Sequence, residues 1–308
     1  MSRFSRELSA QHTPAFLCLT QYIFVYMTKQ AALAEKTATD GNAFDRATHF
    51  RKVSRHYCRL RTFDAAPLLE MHRSLPKHNG SIAGFDIGCG TGRYTLPFLR
   101  MLLESNPHLR AEMMLIDACR HMLDVARRRT AGLAGNVSFV RGNEETLAGY
   151  GNRFDFGMTT NAIHHLDIAL FLRRVASALR AGGRLFVYTR TQEQNRRIIW
   201  GEHFPGFAER ETRLLREGGM ERLVADADEL EVVTAKTFAY TRVSSLQRLL
   251  EQARGRHYST FRFYTPQEFR TAIAKFERAL RVRFPDTENI QHVDENSLYV
   301  IEKRSGTG

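Results

Sequence analysis

An acid followed by three alternating glycines is the group of residues whose spacing points most clearly to chemistry. The stretch DIGCGTG begins at Asp86 and continues through Gly88, Gly90 and Gly92. Glycines at such a turn let the backbone bend tightly and approach a ligand closely. A dinucleotide-binding G-x-G-x-x-G turn would need a further glycine where the chain has Arg93. The stretch therefore predicts either a ligand-contacting turn of another kind or a plain tight turn between packed elements.

Three more polar residues follow apolar runs that have the length of buried strands. Asp117 ends the run MMLI, 29 residues after Gly88, and its carboxylate can accept two hydrogen bonds from neighbouring hydroxyl groups. Asn161 and His164 follow the apolar run at residues 154–159. Open α/β folds bind ligands at the carboxyl ends of their strands, so we expect these residues to face one site. For His164 the alternative is a packed residue at the start of a helix.

Hydrophobic spacing predicts the elements that must position these residues. Residues 82–87 have the length of a buried strand, and Leu96, Leu99 and Leu103 recur at helical spacing behind the glycine turn. Further strands are predicted over residues 113–117, 137–140, 154–159, 185–188, 230–240 and 296–302. Further helices are predicted over residues 118–129, 244–253 and 266–282, with one after Pro67 and one ending at the glycine pair 182–183. This alternation predicts a doubly wound α/β sheet.

Length and composition are those of an ordinary globular protein. At 308 residues, with 43% hydrophobic and 25% charged residues, the chain can bury a full core in one large domain or two small ones. The net charge of +12 is compatible with a nucleic-acid partner. However, the densest basic runs, at residues 127–129 and 196–197, are too short to form a basic tract. We therefore interpret the charge as a solvated basic surface, and a nucleic-acid partner is not expected.

The cysteines and the N-terminal apolar run bear on the location of the protein. The chain contains four cysteines, Cys18, Cys58, Cys89 and Cys119. They show neither a C-x-x-C pair nor metal-ligand spacing, so we predict no metal site and reduced thiols in a cytoplasmic protein. The longest apolar run, residues 15–27, is too short to span a bilayer. No small-residue cleavage site follows it cleanly, which favours a start at Met27 or a disordered arm over secretion.

The glycine stretch that begins at Asp86 resembles the first motif of the class I S-adenosylmethionine-dependent methyltransferases. Further landmarks of that family follow in the same order, up to a leucine-basic-small-Gly-Gly pattern before the fifth strand. They are Asp117, Asn143, the segment 161–165 and the segment 179–183. The resemblance implies a Rossmann-like methyltransferase fold: a seven-stranded, mostly parallel sheet with an antiparallel last strand, an N-terminal helical lid and an α-helical cap.

The resemblance also divides the chain into parts. It implies a methyltransferase domain over residues 44–303. Within this domain the cofactor half would cover residues 80–190 and the acceptor cap residues 191–290. Residues 1–43 would form an arm that is either disordered or not translated, and residues 304–308 a tail.

Membership of this family would make S-adenosylmethionine the cofactor. Asp117 would accept hydrogen bonds from the ribose hydroxyl groups, and Asn161 would lie near the transferred methyl group. Where relatives usually hold the adenine amino group with an aspartate, this chain has Asn143, and the neighbouring Glu144 is the other candidate. The segment that begins at Tyr57 is similar to lids that cover the cofactor, with an amphipathic helix on the sheet edge as the alternative. The cofactor-binding residues implied are Tyr57, Asp86, Gly88, Cys89, Gly90, Asp117, Ala118, Asn143, Glu144 and Asn161.

We expect the acceptor of the methyl group to be a small organic molecule. No Asn-Pro-Pro-Tyr or Asp-Pro-Pro-Tyr motif follows the fourth strand, which argues against the exocyclic amino groups of bases. No proline precedes a cysteine, so the nucleophile of cytosine-5 enzymes is missing. The runner-up is a nucleic-acid or protein acceptor, and a catalytically silent cofactor-binding protein is the third alternative.

The candidate residues of the acceptor site come from three segments. His164 and His257 are the candidate catalytic residues, because an imidazole can remove a proton from an acceptor hydroxyl. Trp200, His203 and Tyr258 are the candidate substrate-binding residues, since apolar walls with a few polar groups suit a small-molecule pocket. For the segment around Tyr258, the alternative is a connection between helices whose aromatic rings simply pack inward.

Overall fold

A seven-stranded sheet forms the centre of the part of the chain that the computed structural model describes, residues 60–133 and 135–305. Its strands are β1 (Ser81–Ile87), β2 (Arg110–Asp117), β3 (Asn136–Arg141), β4 (Phe154–Thr160), β5 (Leu179–Thr189), β6 (Leu230–Ser244) and β7 (Ile290–Lys303). Their order across the sheet is β3-β2-β1-β4-β5-β7-β6. In this part of the chain β7 runs opposite to the other strands, so its pairs with β5 and β6 are antiparallel and the remaining pairs are parallel. The predicted α/β fold with an antiparallel last strand is confirmed.

Helices precede, connect and cover these strands. They are α1 (Ala66–Arg73), α2 (Thr95–Ser105), α3 (Arg120–Thr130), α4 (Ile168–Ala178), α5 (Gln192–Arg197), α6 (Ile199–His203), α7 (Phe207–Arg210), α8 (Gly219–Ala225), α9 (Leu246–Arg254) and α10 (Pro266–Arg283). Short 3-10 helices cover Glu144–Gly149, Ile163–His165 and Ser259–Phe263. The chain builds β1, β2 and β3 outward and then returns to add β4 and β5 on the other side. Such a reversal leaves a crevice at the carboxyl ends of the two central strands, where open α/β folds bind ligands.

Both faces of the sheet are covered by the apolar sides of helices. On one face, Phe171 of α4 and Phe85 of β1 belong to one buried cluster. On the other face, the ring of Phe98 in α2 lies 5.6 Å from the ring of Phe156 in β4. Burial on both faces holds the strands, and therefore the loops at their carboxyl ends, in fixed positions.

Helices α6, α7, α9 and α10 build a cap with a second buried cluster. Trp200 of α6, Phe207 of α7, Leu249 of α9 and Phe276 of α10 belong to it. Large apolar side chains of this kind contribute about 1.5–3 kcal/mol each when they are fully buried. The cap therefore has a core of its own, as the predicted α-helical cap requires.

The helix that was expected to end at the glycine pair 182–183 ends earlier in the structure. α4 ends at Ala178, and the next residue, Leu179, already belongs to β5 and pairs with Phe154 of β4. The register of this pairing shifts after Phe154, and Gly182 has a φ of +71° in the irregular part of β5. The prediction of a helix stop at the glycines is therefore wrong, because the chain already pairs with β4 at Leu179 and the glycines lie in the irregular part of β5 before the pairing resumes at Arg184.

Several expectations concern residues outside the described part of the chain. These are the arm over residues 1–43, the apolar run at 15–27, the start at Met27 and the position of Tyr57. The division of the chain at residue 44 accordingly stays a prediction. Among the residues that are described, no helix has both the length and the hydropathy needed to cross a bilayer.

Candidate functional site

A cavity of about 730 Å³ lies at the carboxyl edge of the sheet, where its wall includes the last residues of β1, β2, β4 and β5. Residues predicted from sequence that line it are Gly88, Cys89, Gly90, Asp117, Ala118, Asn143, Asn161, His164 and Tyr258. Predicted site residues that are described but lie outside its wall are Asp86, Glu144, Trp200, His203 and His257. The structure thus brings most predicted cofactor residues and two predicted acceptor residues to one cavity.

The glycine turn behind β1 forms one part of the cavity wall. Gly88, Gly90 and Gly92 have φ angles of +69°, +55° and +69°, in the left-handed region that favours glycine. A Cβ at Gly88 would lie 2.4 Å from the Cβ of Ala162, which closes that position to any side chain. A Cβ at Gly90 would meet no heavy atom within 4 Å, although Gly90 lines the cavity. The turn therefore leaves space for a ligand to approach the backbone at Gly90.

Asp117, the last residue of β2, is held by the turn beside it. Its Oδ2 accepts a hydrogen bond from the N–H of Gly90 at 2.8 Å, and its Oδ1 accepts one from the N–H of Cys119 at 2.8 Å. Burial raises the pKa of Asp117, and these two hydrogen bonds oppose that effect. Each carboxylate oxygen keeps a further lone pair, so the group can also accept hydrogen bonds from hydroxyl groups in the cavity.

Asp86 lies behind the turn, outside the cavity wall. It is 1% exposed, and its Oδ2 accepts a hydrogen bond from Oγ1 of Thr95 in α2. Its Oδ1 has no hydrogen-bond partner within the described residues. Burial raises the pKa of Asp86 to about 8, against the opposing effect of the hydrogen bond from Thr95. The carboxyl group is therefore mostly protonated at neutral pH.

Replacing Asp86 by asparagine should remove a pH dependence of stability. In the unfolded chain the carboxyl group ionises near its ordinary pKa of 3.8, whereas in the folded chain it keeps its proton up to about pH 8. The stabilisation from this proton is complete below pH 3.8 and is lost as the pH rises to 8. The loss amounts to about 1.4 kcal/mol for each pH unit over which only the folded chain holds the proton.

Urea unfolding between pH 5 and pH 8 measures this slope. We expect the stability of the ligand-free wild type to fall with pH more steeply than that of D86N. Asp124→Asn removes a half-exposed carboxylate of α3 and serves as the control that keeps the wild-type slope. Equal slopes for wild type and D86N would contradict the assignment of a buried, protonated Asp86.

The two polar residues behind β3 take different positions. Asn143 lies in the cavity wall, and its side-chain oxygen accepts a hydrogen bond from the N–H of Glu145 at 3.3 Å. Glu144 is buried, and its Oε1 accepts a hydrogen bond from the N–H of Asp167 at 2.9 Å. Asp167 is the N-cap of α4, so Glu144 fixes the start of a helix. Of the two residues predicted for adenine, the structure brings only Asn143 to the cavity.

Another part of the wall, which we call the acceptor end, is rich in arginine. It consists of Arg61, His164, His165, Arg190, Glu211, Arg213, Tyr258, Ser259, Thr260 and Arg262. Glu211 is buried and accepts two hydrogen bonds from Arg213, at 2.8 Å from Nε and 2.6 Å from Nη2. Arg213 also donates to Nδ1 of His165 and to Oγ of Ser259, both at 3.0 Å. The carboxylate of the acceptor end is thus neutralised by the arginine beside it.

His164 lies in the 3-10 helix behind β4 and is half-buried at the acceptor end. Its Nδ1 is buried and has no hydrogen-bond partner among the described residues. Burial, followed by the positive charge of Arg213 and of further arginines, lowers the pKa of His164 to about 3. The imidazole is therefore neutral at pH 7 and keeps a lone pair that can accept a hydrogen bond.

Trp200 and His257 pack inside the cap. Trp200 is 2% exposed, and its ring stacks on the ring of Phe276 with the centroids 5.0 Å apart. The ring of His257 lies 4.8 Å from that of Trp200, and its Nδ1 donates to the carbonyl oxygen of Gln252 at 2.9 Å. Both side chains are thus engaged by other cap residues, and the structure does not bring them to the cavity.

His203 and Tyr258, the other two cap residues singled out from the sequence, differ in position. The ring of His203 packs edge-on against that of Phe284, with the centroids 5.8 Å apart. Tyr258 lines the cavity, and its ring centroid lies 4.5 Å from Cζ of Arg61 and 5.3 Å from Cζ of Arg190. Such distances give favourable cation–π contacts. Of the cap residues predicted from sequence, Tyr258 alone reaches the cavity.

Arg190 is the main residue of the site that the sequence analysis did not identify. The rule about strand ends that pointed to Asp117 and Asn161 applies equally to the residue behind β5, which is Arg190. Glu211 and Arg213 lie between helices in a stretch with no motif or periodicity, so the sequence carried no comparable signal for them.

Comparison with known proteins agrees with this geometry. The family described as "Methyltransferase domain" matches residues 85–183, which include the glycine turn. The ubiquinone biosynthesis O-methyltransferase of Chelativorans sp. is 31% identical over 150 residues, which are 46% of this chain and 56% of that protein. The ubiquinone/menaquinone biosynthesis C-methyltransferase of Azotobacter vinelandii is 38% identical over 117 residues, which are 36% of this chain and 43% of that protein. The chain thus spans about half the length of these curated relatives.

Solved structures show the same fold at lower sequence identity. The YcgJ protein from Bacillus subtilis has a TM-score of 0.52 and 18% identity, with 79% of this chain and 100% of that chain covered. The matched domain begins in the strand that carries the glycine turn, and the sheet has the antiparallel last strand that the resemblance implied. Residues 85–183 therefore match a methyltransferase domain, and the sheet that contains them has the Rossmann-like methyltransferase fold that the resemblance implied.

Proposed function

We propose that this protein transfers a methyl group from S-adenosylmethionine to a small organic acceptor bound at the acceptor end. The observation that carries the proposal is that one cavity joins the glycine turn and Asp117 to the acceptor end. Two reactants can therefore meet in one space at the edge of the sheet. The volume of about 730 Å³ is within the range of small-molecule sites.

The wall around the glycine turn fits the cofactor. The open space at Gly90 admits a ligand against the backbone, and the free lone pairs of Asp117 suit the ribose hydroxyl groups. Asn143 lies in the cavity wall shortly after β3, at the position that the family resemblance assigns to the adenine. When bound, S-adenosylmethionine supplies a methyl group that its sulfonium already activates. The protein has to orient the two reactants and exclude water, and orientation of this kind lowers a barrier by about 7–11 kcal/mol.

His164 is the candidate within this proposal for accepting a hydrogen bond from the methyl acceptor, since a pKa of about 3 makes its ring a weak base at pH 7. Its ring is neutral at pH 7 and lies in the cavity wall, and its Nδ1 has no partner among the described residues. A base is needed only when the acceptor loses a proton, as a hydroxyl group does. The relatives include an O-methyltransferase and a C-methyltransferase of ubiquinone biosynthesis, which supports a small organic acceptor with either oxygen or carbon as the methylated atom.

Transfer of label from methyl-labelled S-adenosylmethionine tests the proposed function. The full-length protein is incubated with a metabolite extract, with total RNA and with extract proteins in separate reactions, next to a reaction without acceptor. We expect label in the small molecules. Label found only in RNA or only in protein would show that the acceptor is a macromolecule and would contradict a small organic acceptor. Cofactor binding without labelling of any fraction would indicate a catalytically silent binding protein.

Replacing Asp117 by alanine should weaken the binding of S-adenosylmethionine by about 10- to 150-fold. The variant removes hydrogen bonds to a charged group, which contribute about 1.5–3 kcal/mol. Calorimetric titration of the folded variant measures the change. Asp228→Ala, at an exposed aspartate outside the cavity wall, is the control that should keep the wild-type affinity. Unchanged affinity in folded D117A would remove Asp117 from the cofactor site.

A cytoplasmic location is part of the same proposal. Cys89 and Cys119 are free thiols in the part of the chain that the structure describes. Free thiols of this kind persist in a reducing compartment. Cell fractionation followed by immunodetection of the protein would test the location.

A further inference from the structure

Arg190 lies in the cavity wall and carries a buried hydrogen-bond donor that has no partner among the described residues. It directly follows β5 and is 8% exposed. The donor is its Nη1. A buried donor of this kind is unfavourable, because it has lost water and gained no acceptor in exchange. An acceptor group on a molecule bound in the cavity would satisfy it.

Arg190 contacts Asn296, Asp294 and the phenol of Tyr258, while its Nη1 makes no hydrogen bond among the described residues. Nε donates to Oδ1 of Asn296 at 3.3 Å, and Oδ1 of Asp294 lies 4.0 Å from Nη2. Asp294 is shared with Arg242, whose Nε lies 3.4 Å from Oδ2, and Arg242 also pairs with Asp64. Asp294 is thus shared between two arginines, and its Oδ1, which has no hydrogen-bond partner among the described residues, lies on the Nη2 side of Arg190. Nη1 is left for another partner.

The acceptor end as a whole carries more positive than negative charge. Its guanidinium groups are those of Arg61, Arg190, Arg213 and Arg262. Its carboxylate is that of Glu211, which Arg213 binds through two hydrogen bonds. Besides burial, all four arginines lower the pKa of His164, so their charges act together at this ring. A cationic molecule would be repelled here, whereas an anion would compensate the charge.

We propose that the methyl acceptor is an anionic small molecule whose carboxylate or phosphate group is bound by Arg190. The proposal rests on the proposed function and names the chemical class of its acceptor. A guanidinium group offers parallel N–H donors that match two oxygens of either anion. The ring of Tyr258 packs against both Arg190 and Arg61, which limits the motion of the two groups. An anion bound there lies in the same cavity as His164 and the glycine turn.

Calorimetric titration with small anions tests this site without requiring turnover. The full-length protein, saturated with S-adenosylhomocysteine, is titrated with malonate, methylphosphonate and neutral malonamide in a buffer free of other carboxylates and phosphates. We expect malonate or methylphosphonate to bind and malonamide not to bind, and the anion that binds identifies the class. In Arg190→Met we expect an affinity at least about tenfold lower. Arg270→Met, at an exposed arginine of α10 outside the cavity wall, should keep the wild-type affinity.

Arg190→Lys provides a second variant in case the methionine variant does not fold. Lysine keeps the positive charge but lacks the paired N–H donors, so we expect a reduced affinity that exceeds the affinity of the methionine variant. The melting temperature and the affinity for S-adenosylhomocysteine report on the folding of each variant. The proposal is overturned if neither anion binds the wild type saturably, or if the folded Arg190 variants bind the anion as tightly as the wild type does.

A transfer experiment separates this proposal from the proposed function. A metabolite extract is divided by anion exchange at pH 7 into retained and unretained fractions, and each is incubated with the wild type and labelled S-adenosylmethionine. We expect label in the retained fraction. Treating that fraction with alkaline phosphatase before the reaction should abolish the labelling only if the anion is a phosphate ester. Label confined to the unretained fraction would overturn the anionic acceptor and leave methyl transfer intact. Anion binding at Arg190 without label in either fraction would support the anion site and contradict methyl transfer.

Discussion

Gly90→Val is expected to lower the affinity for S-adenosylmethionine by roughly 100-fold or more. The valine side chain would enter the open space at the cavity wall, where a Cβ at residue 90 meets no protein atom within 4 Å. Forcing extra methyl groups into an occupied site costs about 1–3 kcal/mol. Displacing the cofactor from Asp117 would cost about 1.5–3 kcal/mol more, since that group makes charge-assisted hydrogen bonds. Calorimetric titration of the folded variant with S-adenosylmethionine measures the effect.

The same substitution strains the backbone, and a matched control separates the two effects. Gly90 has a φ of +55°, a region that β-branched residues avoid. Gly80, in the turn before β1, has a φ of +71°, is exposed, and would also have no heavy atom within 4 Å of a Cβ. Gly80→Val should therefore lose a similar amount of stability and keep the wild-type cofactor affinity. Wild-type affinity in folded Gly90→Val would place the cofactor away from the glycine turn.

Trp200→Ala is expected to lower the free energy of unfolding by about 3–5 kcal/mol. Trp200 is 2% exposed, and the rings of His257 and Phe276 lie 4.8 and 5.0 Å from its ring. Removing the indole leaves a hole that the surrounding rings fill only in part. Since Trp200 lies outside the cavity wall, the folded variant should keep the wild-type affinity for S-adenosylmethionine.

Urea unfolding followed by circular dichroism measures this loss, because the variant no longer contains a tryptophan to report by fluorescence. Trp200→Phe keeps an aromatic ring in the cluster and should be destabilised less. A change in stability below about 1 kcal/mol, as surface substitutions usually give, would contradict a core role for Trp200. Loss of acceptor turnover in such a stable variant would support the substrate-binding role predicted from the sequence.

The cofactor half could be predicted from the sequence because its signals are local. The turn behind β1 has positive φ angles at Gly88, Gly90 and Gly92, which favour glycine, so one short stretch of the sequence indicates this turn. Asp117 ends a strand parallel to β1, and the geometry of a parallel sheet brings that strand end to the turn. One apolar run, one turn and one strand end were therefore sufficient to predict this part of the cavity wall.

The local sequence pattern did not show which polar side chains near the strand ends reach the cavity and which are buried. Asp86 lies two residues before Gly88, yet its carboxyl group is buried against Thr95 of α2. Glu144 follows Asn143 directly, yet its carboxylate binds the N–H that precedes α4. Successive residues point in different directions, and which direction leads to a helix is settled only when that helix packs on the sheet.

Apart from His164 and Tyr258, which were predicted from the sequence, the residues of the acceptor end were identified only from the tertiary structure. Arg61, Arg190, Arg213 and Tyr258 come from segments far apart in the sequence, and no motif or periodicity links them. Trp200 has the chemistry of a substrate-binding residue, but burial of its large ring stabilises the cap instead. Strand-end and spacing rules act within one element of the chain. The position and charge balance of an arginine in a cavity depend instead on which distant side chains pack behind it, and only the folded chain brings those side chains together.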